Sequence, residues 1–322
     1  MRAFIVSLLL LAAWAADARV STQRLGRIQI SGSDYVRVDE WAAAEGLSGK
    51  WNRSSGTITL VGASSRIDLT VGSRRTEISG VTVWLSLPVV NHGGGALISA
   101  VDAGTTIGAI LFPKKGEGRL QKICLDPGHG GKDKGEIDGH RFEKDYALLL
   151  AQEVAVLLKN NGINVVLTRK NDTLIDLPAR PLIAKRADAD LFVSLHYNSA
   201  GHDVRGVSVY CLAPAGMNSS DEGGGKAPFL HMAGNAHDEQ NAFLAYELQK
   251  SITAHTTLQD RGVKRARFEV LREATVPAVL IEGGFMSNPA DAKNIYDSAF
   301  RKRMAQAITD GLLAYKRAAD RF

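Results

Sequence analysis

The sequence predicts an α/β protein: a mostly parallel twisted sheet with helices on both faces over residues 122–322, preceded by a small α+β unit. Two observations predict it. From residue 122 onward, short apolar runs alternate with helical repeats, the pattern of a parallel sheet joined by crossover helices. Before residue 112, short runs of alternating apolar and polar side chains are separated by Gly and Ser, the pattern of small antiparallel sheets. At 322 residues, 45% hydrophobic and 23% charged, the chain is long enough for two domains with full cores.

The first segment carries its own signal. Arg2 precedes an apolar run from Phe4 to Ala16, broken only by Ser7, and Ala16-Asp17-Ala18 or Ala13-Trp14-Ala15 offers small residues for cleavage. Residues 1–18 therefore read as an export signal. The run is shorter than the roughly 20 residues that cross a bilayer, so cleavage is expected and stable membrane insertion is not. No cysteine follows closely enough for a lipid anchor. The expected destination is the periplasm, the cell wall or the outside.

Residues 22–112 form the small unit. A helix is expected over residues 38–44, ending near Gly46. Strands are expected over residues 57–61, 66–70 and 81–85, each with period-two patterning. No catalytic constellation stands out there, and His92 is isolated in a Gly-rich turn. Residues 113–121, with several Lys and Gly, read as a linker.

In the second unit, Lys122-Ile123-Cys124-Leu125 reads as a buried strand running into Asp126-Pro127-Gly128-His129-Gly130-Gly131. A helix follows over residues 143–158, with Ala147, Leu150, Ala151, Val154, Leu157 and Leu158 on one face, ended by Asn160, Asn161 and Gly162. Next come a strand at 163–168, a helix at 178–187, a strand at 191–195 ending at His196, and a strand at 206–211. The pattern closes with a helix at 241–254, strands at 268–271 and 276–282, and a helix at 299–317. Residues 215–240, with Gly223-Gly224-Gly225, form a long connection, either a surface insertion or a gating loop. His231 and His237 within it lie six apart, a poor match to helical ligand spacing.

His129 and His196 at strand ends and Glu143 at a helix start make the usual three-ligand set of a catalytic zinc. Taken singly, each has a plainer reading: a hydrogen-bonded polar histidine, or a glutamate favoured by the helix dipole. A nucleotide site fits poorly, because the G-x-G-x-x-G spacing from Gly128 puts Asp133 at the third glycine and no G-K-[ST] occurs. His129, His196 and Glu282 fall at the carboxyl ends of predicted strands, where such sheets bind ligands. Glu136 and Asp133 lie in a Gly- and Lys-rich loop and read as solvated carboxylates.

The order of motifs resembles the zinc-dependent N-acetylmuramoyl-L-alanine amidases of bacterial cell walls, over residues 122–316. It rests on Asp126 to Gly131, Glu143-Lys144-Asp145, Leu167-Thr168-Arg169 with Arg180, Phe192 to Asn198, Gly206-Val207, Arg261-Gly262-Val263-Lys264, Val270-Leu271-Arg272, and Pro277 to Pro289. The resemblance implies that His129, Glu143 and His196 hold one Zn2+, that Glu282 is the catalytic carboxylate, and that the substrate is peptidoglycan. It implies cleavage of the amide between N-acetylmuramic acid and L-alanine. The first unit loosely resembles the N-terminal domain of copper amine oxidases, through its helix, Gly46-Leu47, Trp51 and Ile58-Thr59-Leu60. Copper is not implied.

The remaining features are less specific. The net charge of +5 is diffuse and predicts no nucleic-acid partner. Arg261, Lys264, Arg265 and Arg267 either grip carboxylates of a stem peptide or form a solvated charged face. Asn198 and Arg272 are candidates for substrate contact or support of the metal ligands. Cys124 and Cys211 lie in predicted strands and are expected as buried thiols rather than a bridge. Two other functions stay open: another zinc amide hydrolase of the envelope, such as a peptidase, and a non-catalytic wall-binding protein. An activating partner protein is possible under the resemblance, and its identity is unknown.

Overall fold

The structure, a computed structural model, describes residues 25–114, 120–220 and 230–321, and every structural statement below concerns those residues. The expected export signal lies outside them, as do residues 115–119 of the expected linker and 221–229 of the long connection.

The first unit opens with strands Ile28–Ile30 (β1) and Ser33–Arg37 (β2) and helix Val38–Ala44 (α1). Strands Ser48–Asn52 (β3), Thr57–Val61 (β4), Arg66–Thr70 (β5), Arg75–Ile78 (β6) and Val81–Trp84 (β7) run as an antiparallel meander. Alternation builds it: Ile58, Leu60, Ile67, Leu69 and Ile78 turn inward, while Thr57, Thr59 and Asp68 face outward. Strands Val90–His92 (β8) and Gly95–Ser99 (β9) join β1 and β2 in a separate four-stranded sheet, with Trp41 of α1 fully buried nearby. A helical stretch, Asp102–Gly108 continuing into Ala109–Leu111 (α2), closes the unit. Asp102 is fully buried, yet Ser86 N, Leu87 N, Ser99 Oγ and Thr106 Oγ1 all donate to its carboxylate.

The second unit contains strands Lys122–Pro127 (β10), Ile137–Asp138 (β11), Arg141–Phe142 (β12), Asn164–Leu167 (β13), Leu191–Asn198 (β14), Val207–Leu212 (β15), Asp260–Ala266 (β16) and Ala278–Phe285 (β17). Its helices are Glu143–Asn160 (α3), Ala179–Arg186 (α4), Asp238–His255 (α5), Glu269–Arg272 (α6), Pro289–Tyr296 (α7) and Ser298–Arg321 (α8). The main sheet runs β13-β10-β14-β17-β15-β16 and then continues without a break through β7-β6-β5-β4-β3. None of the helices is long and apolar enough to cross a membrane.

The expected mostly parallel sheet is instead mixed. β13, β10, β14 and β17 are parallel, but β15 runs antiparallel to β17, and β7 to β3 are antiparallel to one another. The reason is connection length. Parallel neighbours need a crossover of a dozen residues or more, usually a helix. Residues 199–206 between β14 and β15 hold no helix, so the chain turns back. Between β15 and β16, α5 supplies the crossover and the pair is parallel.

Two local expectations are also corrected. Residues 268–271 are not a strand; Glu269–Arg272 forms the short helix α6. In the basic cluster Lys264 and Arg265 are not a solvated face, because they are buried in β16, inside the sheet, while Arg261 of the same strand and Arg267 just after it are half-buried. Arg265 is 1% exposed and donates to Leu212 O, Thr105 O and Thr106 Oγ1. The buried Lys264 ammonium sits 5.9 Å from the Trp84 ring centroid and 5.6 Å from that of Tyr210. Arg267 donates to Met217 O. A strand this polar is stable there because the first unit supplies its partners. Cys124 and Cys211 are free and buried, and burial pushes the Cys124 thiol up to about 12.

The seam between the units is the β7–β16 pair, with Val83 opposite Val263. Thr82 N donates to Asp260 Oδ2 at 2.8 Å, Trp84 Nε1 to Arg261 O at 2.9 Å, and Tyr246 Oη to Ile78 O at 3.2 Å. Asp260 Oδ1 also accepts from Gln249 Nε2 and Gly262 N. Asp260→Ala strands these donors at the seam and should cost about 1–3 kcal/mol per buried group left unpaired. The check is the urea midpoint, with a wild-type midpoint counting against the seam's importance.

Candidate metal centre

The site forms at the carboxyl ends of β10, β14 and β17. β10 ends at Pro127, and the chain turns through Gly128 into His129, whose φ of 60° places it in the left-handed region. Gly128 is required by space: a Cβ there would lie 2.2 Å from His196 Cε1. Gly135 is required for the same reason, since its Cβ would lie 2.5 Å from Glu143 Oε2 and 2.7 Å from His129 Cδ2. These glycines let the loop fold over the carboxylate. The β11–β12 hairpin then leads into α3, and Glu143 is its first residue.

Three side chains converge. His129, Glu143 and His196 each offer a ligand atom, and these atoms all lie within 4.8 Å of one another. His129 Nε2 is 3.0 Å from Glu143 Oε2, and His196 Nδ1 is 3.0 Å from Glu143 Oε1. The two imidazoles meet edge to face, with centroids 4.9 Å apart. The carboxylate is held from behind by two backbone donors, Tyr197 N to Oε1 and Glu136 N to Oε2, each at 3.0 Å. Burial by itself would raise the Glu143 carboxyl, but hydrogen bonds and charge from His129 and His196 overturn this and hold it well below the usual range. Two imidazoles and one carboxylate are the donor types of three-ligand zinc sites. Their 3.0 Å separations approach the about 3.3 Å tetrahedral edge that metal–ligand bonds of about 2.0–2.1 Å imply. The residues present fit a small divalent cation, with one face left open.

A buried network fixes the loop that carries His129. Asp126, on β10, is fully buried and accepts from Thr168 Oγ1 at 2.6 Å, Ser194 Oγ at 2.7 Å and Arg180 Nη1 at 2.8 Å. Arg180 also donates to Pro127 O and His129 O. Arg169 donates to Pro127 O, Gly128 O and Lys144 O, tying the loop to the start of α3. Through these backbone carbonyls the two guanidiniums hold the His129 loop and the start of α3 in place.

Glu282 stands beside His196, because the two are register partners across the parallel β14–β17 pair. It does not end its strand as expected; β17 continues to Phe285. Its Oε2 is enclosed and has no hydrogen-bond partner. Burial, reinforced by the nearby Glu143 charge, pushes its carboxyl well above the usual range. Asp133 is expected from the sequence as a solvated carboxylate. It is exposed, yet His129 Nδ1 donates to its Oδ2 at 2.9 Å, which leaves Nε2 facing the centre. The spacing of four from His129 was the available signal. Glu136 contributes its backbone N–H to Glu143. Asn198 O accepts from Met286 N beyond the ligands, while Arg272 lies on α6, 3.9 Å from Glu269 Oε2 and apart from the three ligands.

Comparison with known proteins places this geometry in context. Residues 123–314 match the sequence profile described as N-acetylmuramoyl-L-alanine amidase. Over 275 residues the chain is 30% identical to N-acetylmuramoyl-L-alanine amidase AmiA of Salmonella typhimurium, covering 76% of this chain and 92% of that protein. It is 33% identical to N-acetylmuramoyl-L-alanine amidase LytC of Bacillus subtilis, covering 61% of this chain but only 36% of LytC. The crystal structure of an N-acetylmuramoyl-L-alanine amidase from Clostridium difficile 630 superposes with a TM-score of 0.52 at 31% identity, covering 62% of this chain and 97% of that one.

Asp126→Ala tests the network. It leaves the Arg180 guanidinium buried without its carboxylate, and breaking such a pair costs about 3–5 kcal/mol. Urea unfolding should record a loss of that order; a change under about 1 kcal/mol would show that the pair does not hold the loop.

Proposed function

Because the chain belongs to the N-acetylmuramoyl-L-alanine amidase family, we propose that His129, Glu143 and His196 hold one Zn2+ and that Glu282 is the proton carrier in hydrolysis of the amide between N-acetylmuramic acid and L-alanine in peptidoglycan. The enzyme class is that of its relatives. The finer assignment rests on one observation above all: the three-residue cluster has an unpartnered, enclosed carboxyl oxygen in register beside it. We extend the proposal to export, on the pattern of residues 1–18, and to a non-catalytic role for the first unit, which extends the catalytic sheet.

An amide resists water because water is a weak nucleophile and an amine a poor leaving group. Zinc held by the three ligands would supply Lewis acidity, lowering the pKa of water from 15.7 to about 7 and stabilising charge on the amide oxygen. The protein's own residues handle the proton. Glu282 accepts it from the attacking water and returns it to the departing L-alanine nitrogen. A carboxyl with a raised affinity for protons suits both halves of that cycle. Asp133 holds the His129 ring in one orientation, and the Tyr197 and Glu136 N–H groups do the same for Glu143.

Dialysis against a chelator should abolish hydrolysis of soluble muropeptides, and added zinc should restore it. His129→Ala and His196→Ala should each lose metal, measured by elemental analysis; a fully active metal-free protein would end the zinc assignment. Products should carry new L-alanine amino termini by mass spectrometry. Cleavage at another amide would favour the peptidase reading.

Glu282→Gln separates proton transfer from metal binding. General acid–base catalysis contributes roughly 10²–10⁴-fold, so kcat should fall by at least that much while zinc content and Tm stay near wild type. Loss of zinc in this variant would make Glu282 a ligand instead.

A further inference from the structure

We propose that a groove beside the metal centre, between the β11–β12 hairpin and α7, binds the carboxylates of the substrate's stem peptide through Arg141 and Lys293. The inference rests on the amidase reading and extends it to a part of the substrate that does not react. The groove is an open cavity of about 610 Å³, lined by Asp138 and Arg141 on one side and by Lys293, Tyr296 and Asp297 on the other. Met286 and Ser287 also line it.

The groove is mechanically continuous with the centre. Arg141 lies two residues before Glu143, on the hairpin that delivers it. Met286 lies four residues after Glu282, at most about 13 Å along an extended chain, and its N–H donates to Asn198 O at the end of β14. Helix α7 is fastened to the same strand ends. Asn288 Oδ1 caps it by accepting from Ala290 N and Asp291 N, and Asp291 Oδ2 accepts from Phe285 N and Gly206 N. The Tyr296 ring packs 4.9 Å from Tyr146 of α3. Both walls are therefore rigid with respect to the ligands.

The charges in the groove are unequal in availability. Asp138 accepts from Tyr296 Oη at 2.7 Å, and Asp297 accepts from Ala299 N at 3.0 Å at the start of α8. Each acid thus has one oxygen engaged by a neutral donor within the fold. Among the described residues, neither Arg141 nor Lys293 makes an ion pair. The Arg141 guanidinium lies over the Tyr296 ring, 4.2 Å from its centroid, a stacking contact that restricts the fork and uses none of its N–H groups in an ion pair. Two free cations, one of them pre-oriented, suit carboxylates better than a neutral glycan. In the proposed substrate the first charges beyond the scissile bond are the carboxylates of the stem peptide. The acids on either side disfavour a polyanion and tolerate a peptide that also carries an amine.

The test uses the full chain and two soluble substrates with the same scissile amide. One is N-acetylmuramoyl-L-alanine with its alanine carboxyl amidated, and the other carries a longer stem peptide with its carboxylates free. Arg141→Ala and Lys293→Ala should each raise KM for the longer substrate roughly ten- to hundredfold, the range of a charge-assisted hydrogen bond. The shorter substrate should be unaffected, and Arg141→Lys should restore part of the difference. Calorimetric titration of the zinc-loaded protein with the free stem peptide gives a readout without turnover. Wild type should bind it more tightly than either variant, and amidating the peptide carboxylates should erase that margin. Equal losses on both substrates, or no loss on either, would overturn the groove assignment. Carboxylate-dependent peptide binding by a protein that cleaves neither substrate would overturn the amidase reading and leave the groove standing.

Discussion

The buried Arg180–Asp126 pair is the constraint on which the site depends. It lies where β10 ends, and both partners are almost wholly removed from water. Desolvating two charges is expensive, and the cost is offset only where the remaining donors and acceptors are satisfied. Here they are: Thr168 and Ser194 complete Asp126, and Arg180 spends its other N–H groups on the carbonyls of Ile175, Pro127 and His129. The result is a left-handed His129 held by its own backbone. Arg169 does the equivalent for Gly128 and Lys144. A side chain on a loop is thereby held by as many backbone contacts as one on a strand.

The rest of the centre follows from sheet geometry. Parallel pairing of β10, β14 and β17 brings their carboxyl ends to one edge, and the β14–β17 register sets Glu282 beside His196. The two carboxylates then experience opposite environments. Glu143 gains two imidazoles and two backbone donors, whereas Glu282 keeps an enclosed oxygen with no partner. Equal chemistry in unequal surroundings is the basis for the division of roles proposed above, Glu143 as ligand and Glu282 as proton carrier. The groove walled by Arg141 and Lys293 continues the same logic outward, since its elements are tied to the same strand ends.

The first unit belongs to the same sheet. Its β7 covers the edge of β16, which would otherwise present unpaired backbone groups. Lys264 and Arg265 become tolerable inside the sheet because Trp84, Thr105 and Thr106 of the first unit surround them. The two units thus share one sheet, while His129, Glu143 and His196 all lie in the second.

By itself the sequence determined the element types with strong periodicity and the amidase family. The apolar face of α3, the alternation of β4 and β5, and the glycines around His129 are local signals that need no partner to be read. His129, Glu143, His196 and Glu282 were legible as well, because each stands near the end of a patterned element and their order resembles a known family. Tertiary structure alone decided the rest. The turn-back after β14 depends on a connection too short for a crossover. Strand β16 is too polar to read as a strand until β7 and β15 flank it. The burial of Arg180 against Asp126 joins residues 54 positions apart, neither of which stands in a patterned position that names the other. Pairings that depend on distant partners leave no periodic trace in the chain, so only the folded protein reveals them.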